Sequence, residues 1–115
     1  MCRLKVRKLR LKFMKLKIGL NKQEISLFKR LATPKKIQDF LEKLPINFEP
    51  KGDTCMSPRR VLQERRAHCI EGAMLAAAVL WFHGERPLLL DLSAADRDFD
   101  HVVALFKRGR RWGAI

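Results

Sequence analysis

The segment from Cys69 to His83 constrains the fold most, because it is apolar on nearly every side. Its second half, Met74–Phe82, contains no polar residue at all. A helix that faces water on one side carries polar residues on that side. We therefore expect a buried central helix from Cys69 to His83, which ends at Gly84 because glycine readily takes the left-handed conformation after a helix.

Three shorter helices are predicted before this central helix. A short helix is predicted over Lys22–Leu31, and Thr33-Pro34 and Ser57-Pro58 each combine an N-cap residue with proline at the first helical position. The helix after Thr33 should end before Pro45, and the helix after Ser57 should run from Arg59 to about Arg66. Residues 46–56 are predicted to form a loop.

Strands are predicted only after the central helix. Pro87–Leu92 is typical of a buried strand, and His101–Phe106 of a second one. Ser93–Asp100 should form a polar loop, Lys107–Arg111 a hairpin turn and Trp112–Ile115 a returning strand. Helices followed by strands indicate the α+β class, with N-terminal helices and a central helix packed on a short antiparallel sheet. The return strand has only four residues, so we expect this domain, residues 21–115, to be incomplete at its C-terminus.

Positive charge is concentrated in residues 1–20. The 115-residue chain has a formal net charge of +13, and eight basic residues and no acid lie in this segment. Its apolar residues fit both a strand and a helix period. The segment is predicted to be a basic amphipathic arm that contacts nucleic acid or anionic membrane, a strand that pairs with the domain, or a leader with no structural role.

Cysteine usage indicates a reducing setting. The chain has three cysteines, an odd number without paired spacing, which argues against a disulfide framework. No apolar run reaches the length of a transmembrane helix or forms the core of a signal peptide. A cytoplasmic location is therefore expected, in which free thiols persist.

Cys69 is the leading candidate for chemistry. At a helix start, unpaired backbone N–H groups and the positive end of the helix dipole favour the thiolate, and Arg65 and Arg66 act in the same direction. His101, at the head of the second strand, is the candidate base, because a strand packed on the helix could bring its imidazole to the sulfur. The alternative for Cys69 is an inert buried thiol.

Several motifs occur in the order found in one family. They are Ala67-His68-Cys69-Ile70-Glu71-Gly72-Ala73, Met74–Ala78, Pro87–Leu92, Asp100-His101-Val102-Val103 and Trp112-Gly113-Ala114-Ile115. Over residues 34–115 the chain resembles the transglutaminase-like superfamily of papain-like cysteine enzymes, and within it the small bacterial domains of unassigned function.

The resemblance implies a papain-like core in which Cys69 is the nucleophile and His101 is its base. The superfamily has an orienting aspartate on the next strand, but Trp112–Ile115 contains no acid, so the third member of the triad is unknown. Val102-Val103 after the histidine also departs from animal transglutaminases. We expect a cysteine-dependent hydrolase of a peptide or amide, or an acyltransferase, of unknown substrate. The alternative is a non-catalytic binding module on the same fold.

Other residues receive weaker assignments. Gln63 lies six residues before Cys69, the spacing of the oxyanion glutamine in papain-like proteases, but it also fits a solvent-facing helix position. Cys55, His68, Cys69 and His101 lack the paired spacing of a zinc site, and no phosphate-binding loop occurs, so no metal or cofactor is expected. Trp81 and Trp112 are assigned to packing in the core or on the hairpin. The sequence does not indicate an oligomeric state.

Overall fold

The α+β class is confirmed in the computed structural model, which describes residues 19–48, 55–92 and 101–115. Within these ranges four helices are followed by three strands. The elements are α1 (Lys22–Arg30), α2 (Pro34–Glu42), α3 (Pro58–Glu64), α4 (Cys69–Phe82), β1 (Leu88–Leu92), β2 (His101–Arg108) and β3 (Arg111–Ala114). The predicted loop Ser93–Asp100, residues 49–54 of the predicted loop 46–56, and nearly all of the predicted arm lie outside the described residues.

The first three helices begin at side-chain caps. Asn21 Oδ1 accepts from the amide of Glu24, Thr33 Oγ1 from that of Lys36, and Ser57 Oγ from that of Arg60. Each bond satisfies one of the backbone donors that a helix start leaves without an intrahelical partner. Both predicted cap-plus-proline starts are confirmed, because α2 and α3 have proline at their first position.

Helix α4 forms the centre of the core. Leu75, Val79 and Leu80 are at most 2% exposed, as expected for a helix that is apolar all round. At its C-terminal end Phe82 meets Phe28 of α1 edge to face, with ring centroids 5.5 Å apart. Gly84 follows with a positive φ of 88°, which confirms the predicted helix stop.

The strands form one antiparallel sheet in the order β1-β2-β3. Leu90 pairs with Val103 on one side of β2, and Lys107 pairs with Trp112 on the other. Helix α4 packs on β2, where Ala104 is fully buried and Phe106 contacts the core. Since side chains alternate along a strand, the residues of β2 that share the α4-facing side are Val102, Ala104 and Phe106.

One prediction about burial is wrong. Pro87–Leu92 was expected to be a buried strand, but β1 is an edge strand in which Leu89, Leu90 and Leu92 are 41–47% exposed. The described helices cover only one face of the sheet, and apolar composition alone does not tell a strand covered on two faces from one covered on a single face. Trp112 is 58% exposed and contacts Lys107 across the hairpin, which agrees with packing on the hairpin and not in the core.

Over the described ranges, none of the helices is both long enough and apolar enough to cross a lipid bilayer.

Candidate functional site

Cys69 is the first residue of α4, as predicted, and its side chain is exposed to solvent. The preceding residue, His68, has an extended backbone (φ −98°, ψ −179°), and the first helical bond runs from the Gly72 amide to the His68 carbonyl. The amides of Cys69 and Ile70 therefore belong to the helix start, where backbone donors have no intrahelical partner. The sulfur lies at the positive end of a 14-residue helix.

A buried carboxylate fixes this helix start. Glu71 is 0% exposed, and its Oε1 accepts from the His68 amide and from Asn47 Nδ2, both at 3.0 Å. Its Oε2 accepts from the Met56 amide at 2.7 Å. One side chain in the first turn of α4 thus joins three separate segments of the chain, and it lies two residues from Cys69.

The ionisation of Glu71 depends on these bonds. Burial raises the pKa of Glu71, but the hydrogen bonds from Asn47, His68 and Met56 outweigh burial, so that its pKa lies below the ordinary value of 4.5. His68 Nε2 lies 3.4 Å from Oε1 and acts in the same direction when it is protonated. The carboxylate is therefore charged at neutral pH, and a charged acceptor strengthens each bond.

A short parallel bridge completes the support of the helix start. Ile46 pairs with Ala67: the Asn47 amide donates to the Ala67 carbonyl and the Ala67 amide donates to the Pro45 carbonyl, both at 3.1 Å. The chain after α2 is therefore tied to the residues just before Cys69. This tie places the end of α2 beside the sulfur.

A groove of about 340 Å³ lies at this place, and both predicted site residues line it. Cys69 comes from the start of α4 and His101 from the start of β2. Polar lining also comes from Gln38 and Glu42 of α2. Its apolar walls include Leu41, Leu44, Ile46, Val102, Val103 and Ile115. The sequence-predicted nucleophile and base are thus brought to one surface depression.

His101 lies at the exposed start of β2. Strand alternation places it on the same side as Val103 and Leu105, opposite the α4-facing Ala104. Between the described residues Cys69 and His101 no hydrogen bond is formed. The two residues therefore share one groove without a direct hydrogen bond.

Gln63 is not among the residues that line the groove; it is exposed on α3. No acid is present in β3, so the described strands supply no orienting carboxylate at the position that the resemblance implies. Instead α2 supplies an amide and a carboxylate: Gln38 Nε2 donates to Glu42 Oε1 at 3.1 Å. Their four-residue spacing was a visible sign that they share a helix face, but nothing in the sequence directed that face toward Cys69.

A larger groove of about 690 Å³ lies between α1, α2 and α3. Leu27, Phe40 and Leu62 form apolar parts of its wall, and Lys22 and Arg65 lie in its lining. The described residues that line it include no cysteine or histidine. We therefore assign the candidate site to the smaller groove, which is lined by Cys69 and His101.

Cys55 and His83 lie outside the lining of this groove and make other contacts. Cys55 contacts Met74, with 3.6 Å between the sulfur atoms. Within the described ranges, no group of three or more His, Cys, Asp or Glu side chains is arranged to hold a metal ion. His83, at the end of α4, lies with its Nε2 2.6 Å from the Phe28 carbonyl oxygen and so joins α4 to α1.

Neither a family model nor a curated protein matches this chain.

Proposed function

We propose that this chain is a transglutaminase-like domain with a papain-like core, and that it hydrolyses or transfers an acyl group from a peptide or amide through Cys69. The observation that carries the proposal is that Cys69 and His101, on different elements, line one groove. A cysteine at the start of the central helix and a histidine at the start of a following strand are the arrangement that the resemblance implies.

In the proposed reaction, His101 accepts the proton of the Cys69 thiol and the sulfur attacks the carbonyl carbon of the substrate. The C–N bond then breaks, His101 returns the proton to the departing amine, and a thioester to Cys69 remains. Water, or an acceptor amine, then attacks the thioester carbon and gives a proton to His101. The C–S bond breaks, the acid or the new amide leaves, and His101 returns the proton to the Cys69 sulfur. The Cys69 amide, at the helix start, is the donor we assign to the developing oxyanion.

The groove supports a preference in the substrate. Most of its wall is apolar, and Ile46 at its edge is 83% exposed. An apolar side chain next to the scissile carbonyl would remove this surface from water. We therefore propose a peptide or amide whose acyl part is apolar, in a reducing cytoplasmic setting where Cys69 stays a thiol. Cys55 and Cys69 are both free.

The proposed reaction also needs a group that orients the imidazole of His101. Glu42 is the carboxylate in the lining that also contains His101, and Gln38 holds its Oε1. We propose Glu42 as a positioning residue for the imidazole, in place of the strand aspartate of the superfamily. In this proposal Gln63 has no part in the oxyanion site, because it is absent from the groove lining.

Alkylation by iodoacetamide tests the nucleophile within the chain itself. Cys69 is measured with Cys2 and Cys55 replaced by serine, and the matched control keeps Cys55, which is also exposed, with Cys2 and Cys69 replaced. We expect Cys69 to react roughly tenfold faster than Cys55 at neutral pH, because of its helix start and its histidine. Equal rates for the two thiols would contradict an activated nucleophile.

His101 is tested by the pH profile of the same reaction. In His101→Ala the rate at Cys69 should fall toward that of Cys55 and change its dependence on pH, while Cys55 is unaffected. A matched variant, His83→Ala, removes a histidine that contacts α1 and not the groove. If the alkylation rate at Cys69 depends on pH in the same way in His101→Ala, in His83→Ala and in the unmodified chain, the proposed pairing of Cys69 with His101 is wrong.

The second candidate function is a non-catalytic binding module on the same fold, with residues 1–20 contacting nucleic acid or anionic membrane. The absence of an acid from β3 favours it. Deletion of residues 1–20 should then weaken binding to a polyanion such as heparin and lower its salt dependence. Unchanged binding after this deletion would exclude the arm as the binding element.

A further inference from the structure

The β2–β3 hairpin has a basic and aromatic surface that the proposed chemistry does not use. Lys107, Arg108, Arg110, Arg111 and Trp112, here called the hairpin surface, are all exposed. Lys107 pairs with Trp112 and Arg108 with Arg111, which leaves the two-residue turn Gly109-Arg110. Gly109 has a φ of 62°, as tight hairpin turns require at this position. The strand ladder therefore holds these side chains close together in a fixed order.

Most of the charge on this surface has no ion-pair partner among the described residues. Arg108 pairs with Glu85 in the loop after α4. None of the ion pairs among the described residues involves Lys107, Arg110 or Arg111. Three cations within five consecutive residues create a local positive potential. Such a potential attracts a ligand with several negative charges, since each phosphate contact releases a counterion.

Trp112 adds a second kind of contact. Its side chain is 58% exposed, and the Lys107 ammonium lies 5.4 Å from the centroid of its ring. Trp81, by contrast, packs against the core. An exposed indole beside cations is the combination that holds unpaired bases, because the base stacks on the ring while neighbouring side chains contact phosphate.

The two faces of the hairpin distinguish between possible polyanions. Alternation places Lys107 and Trp112 on one face and Arg108 and Arg111 on the other, with Arg110 in the turn. A flat lipid surface meets one face of a hairpin, whereas a flexible strand can pass around both. Stacking on Trp112 also requires a base that is not already paired in a duplex. We propose that the β2–β3 hairpin binds single-stranded nucleic acid, with Trp112 stacked on a base and Lys107, Arg110 and Arg111 on phosphates.

The test measures binding of the full chain to fluorescein-labelled oligo-uridine and oligo-deoxythymidine of roughly 12 nucleotides, by fluorescence anisotropy at several salt concentrations. The triple variant Lys107→Gln, Arg110→Gln, Arg111→Gln should lower the slope of log K against log salt by about 2, since each single-strand phosphate contact contributes about 0.7. The matched control, the helix triple variant, replaces three exposed lysines by glutamine: Lys29 in α1, Lys36 in α2 and Lys43 directly after α2. It removes the same charge and should change the slope much less.

Trp112 is tested separately. Trp112→Leu should weaken binding roughly tenfold and leave the salt slope unchanged, and Trp112→Phe should keep most of the affinity because the ring remains. Tryptophan fluorescence measures stacking without a substitution in the hairpin. In Trp81→Phe the remaining tryptophan is Trp112, and stacking should quench its emission when either oligonucleotide binds. Circular dichroism spectra and urea midpoints establish that each variant is folded.

The outcomes separate the possibilities. Binding by oligo-uridine, oligo-deoxythymidine or both that depends on the hairpin supports the proposal, and a difference between them shows a contact to the 2′-hydroxyl. Equal slope changes in the hairpin and helix triple variants overturn it, because binding would then follow total charge. It is also overturned if Trp112→Leu binds the oligonucleotides as tightly as the unmodified chain. Binding to phosphatidylserine vesicles is measured in parallel, and hairpin variants that lose only vesicle binding and keep oligonucleotide binding would overturn the proposal as well.

Discussion

Replacement of Glu71 by glutamine tests whether one buried carboxylate holds the start of α4. Glutamine has nearly the same shape but one acceptor oxygen, which can keep the two bonds at the Oε1 position, from Asn47 and the His68 amide. The new NH₂ group would then face the Met56 amide, which donates to Oε2 at 2.7 Å. Two donors would face each other in a place without solvent, since Met56 is 2% exposed.

The cost follows from this geometry. A hydrogen bond to a charged group contributes about 1.5–3 kcal/mol, and a buried donor without a partner costs about 1–3 kcal/mol. These two values describe overlapping effects, so we expect Glu71→Gln to lower the free energy of unfolding by about 2–4 kcal/mol. For a chain of this size each kcal/mol corresponds to roughly 4 °C in Tm, which gives a loss of about 8–16 °C.

Urea unfolding followed by circular dichroism measures this loss, with the slope m compared to establish that the unfolded states are alike. The matched control is Glu64→Gln, which removes an exposed carboxylate paired with Arg60 and Arg66. This change should have little effect, because exposed ion pairs contribute little to stability. Equal losses in the two variants, or no loss in Glu71→Gln, would refute the assignment of Glu71 as the residue that joins the three segments.

The pH dependence gives an independent check on the same residue. Because the pKa of Glu71 in the folded chain lies below 4.5, the folded state binds the proton less readily than the unfolded state. Its stabilisation is therefore complete above 4.5 and is lost as the pH falls through the lower, folded value. The stability difference between the unmodified chain and Glu71→Gln should not fall between neutral pH and about 4.5, and it should shrink below that pH. A difference that already shrinks above 4.5, or that keeps growing below it, would contradict this reasoning.

Three further substitutions test the fold, each by urea unfolding. Leu75→Ala should cost about 2–5 kcal/mol, because Leu75 is 0% exposed at the centre of α4; a cost below about 1 kcal/mol would place it outside a packed core. Arg65→Gly should stabilise the chain by about 0.5–1 kcal/mol, because Arg65 ends α3 with a φ of 54° that glycine adopts without strain; destabilisation would show that its side chain contributes more than the strain costs. Gly113→Ala should cost about 1–3 kcal/mol, because a Cβ there would lie 2.2 Å from the ring of Phe106, its cross-strand partner; an unchanged midpoint would mean that the ring moves aside freely.

The local parts of the fold could be predicted from the sequence because their determinants are local. Thr33-Pro34 and Ser57-Pro58 specify helix starts through one side chain and one fixed φ. The limits of α4 follow from its apolar run and from Gly84. Burial of β1 could not be predicted in the same way. Leucine at four of its five positions gives no alternation, and whether a second layer covers the outer face depends on the whole chain.

The same distinction between local and tertiary determinants applies to the candidate site. Cys69 and His101 are recognisable because each lies at the start of a predicted element. Glu71 was visible as an acid in the first turn of an apolar helix, but its partners Asn47 and Met56 lie 24 and 15 residues away, so the contact is tertiary. The contribution of α2 to the groove likewise depends on packing between helices, which periodicity does not specify.

The bonds to Glu71 also give the site its own reporter of motion. The amides of His68 and Met56 donate to this carboxylate, not to a helix or sheet carbonyl. Their hydrogen exchange with solvent therefore follows the breaking of the hydrogen bonds that Glu71 accepts near Cys69, whereas amides within α4 follow the opening of the core. If the groove opens for its ligand without unfolding of the domain, these two amides should exchange faster than those of α4, and an apolar peptide bound in the groove should slow them selectively.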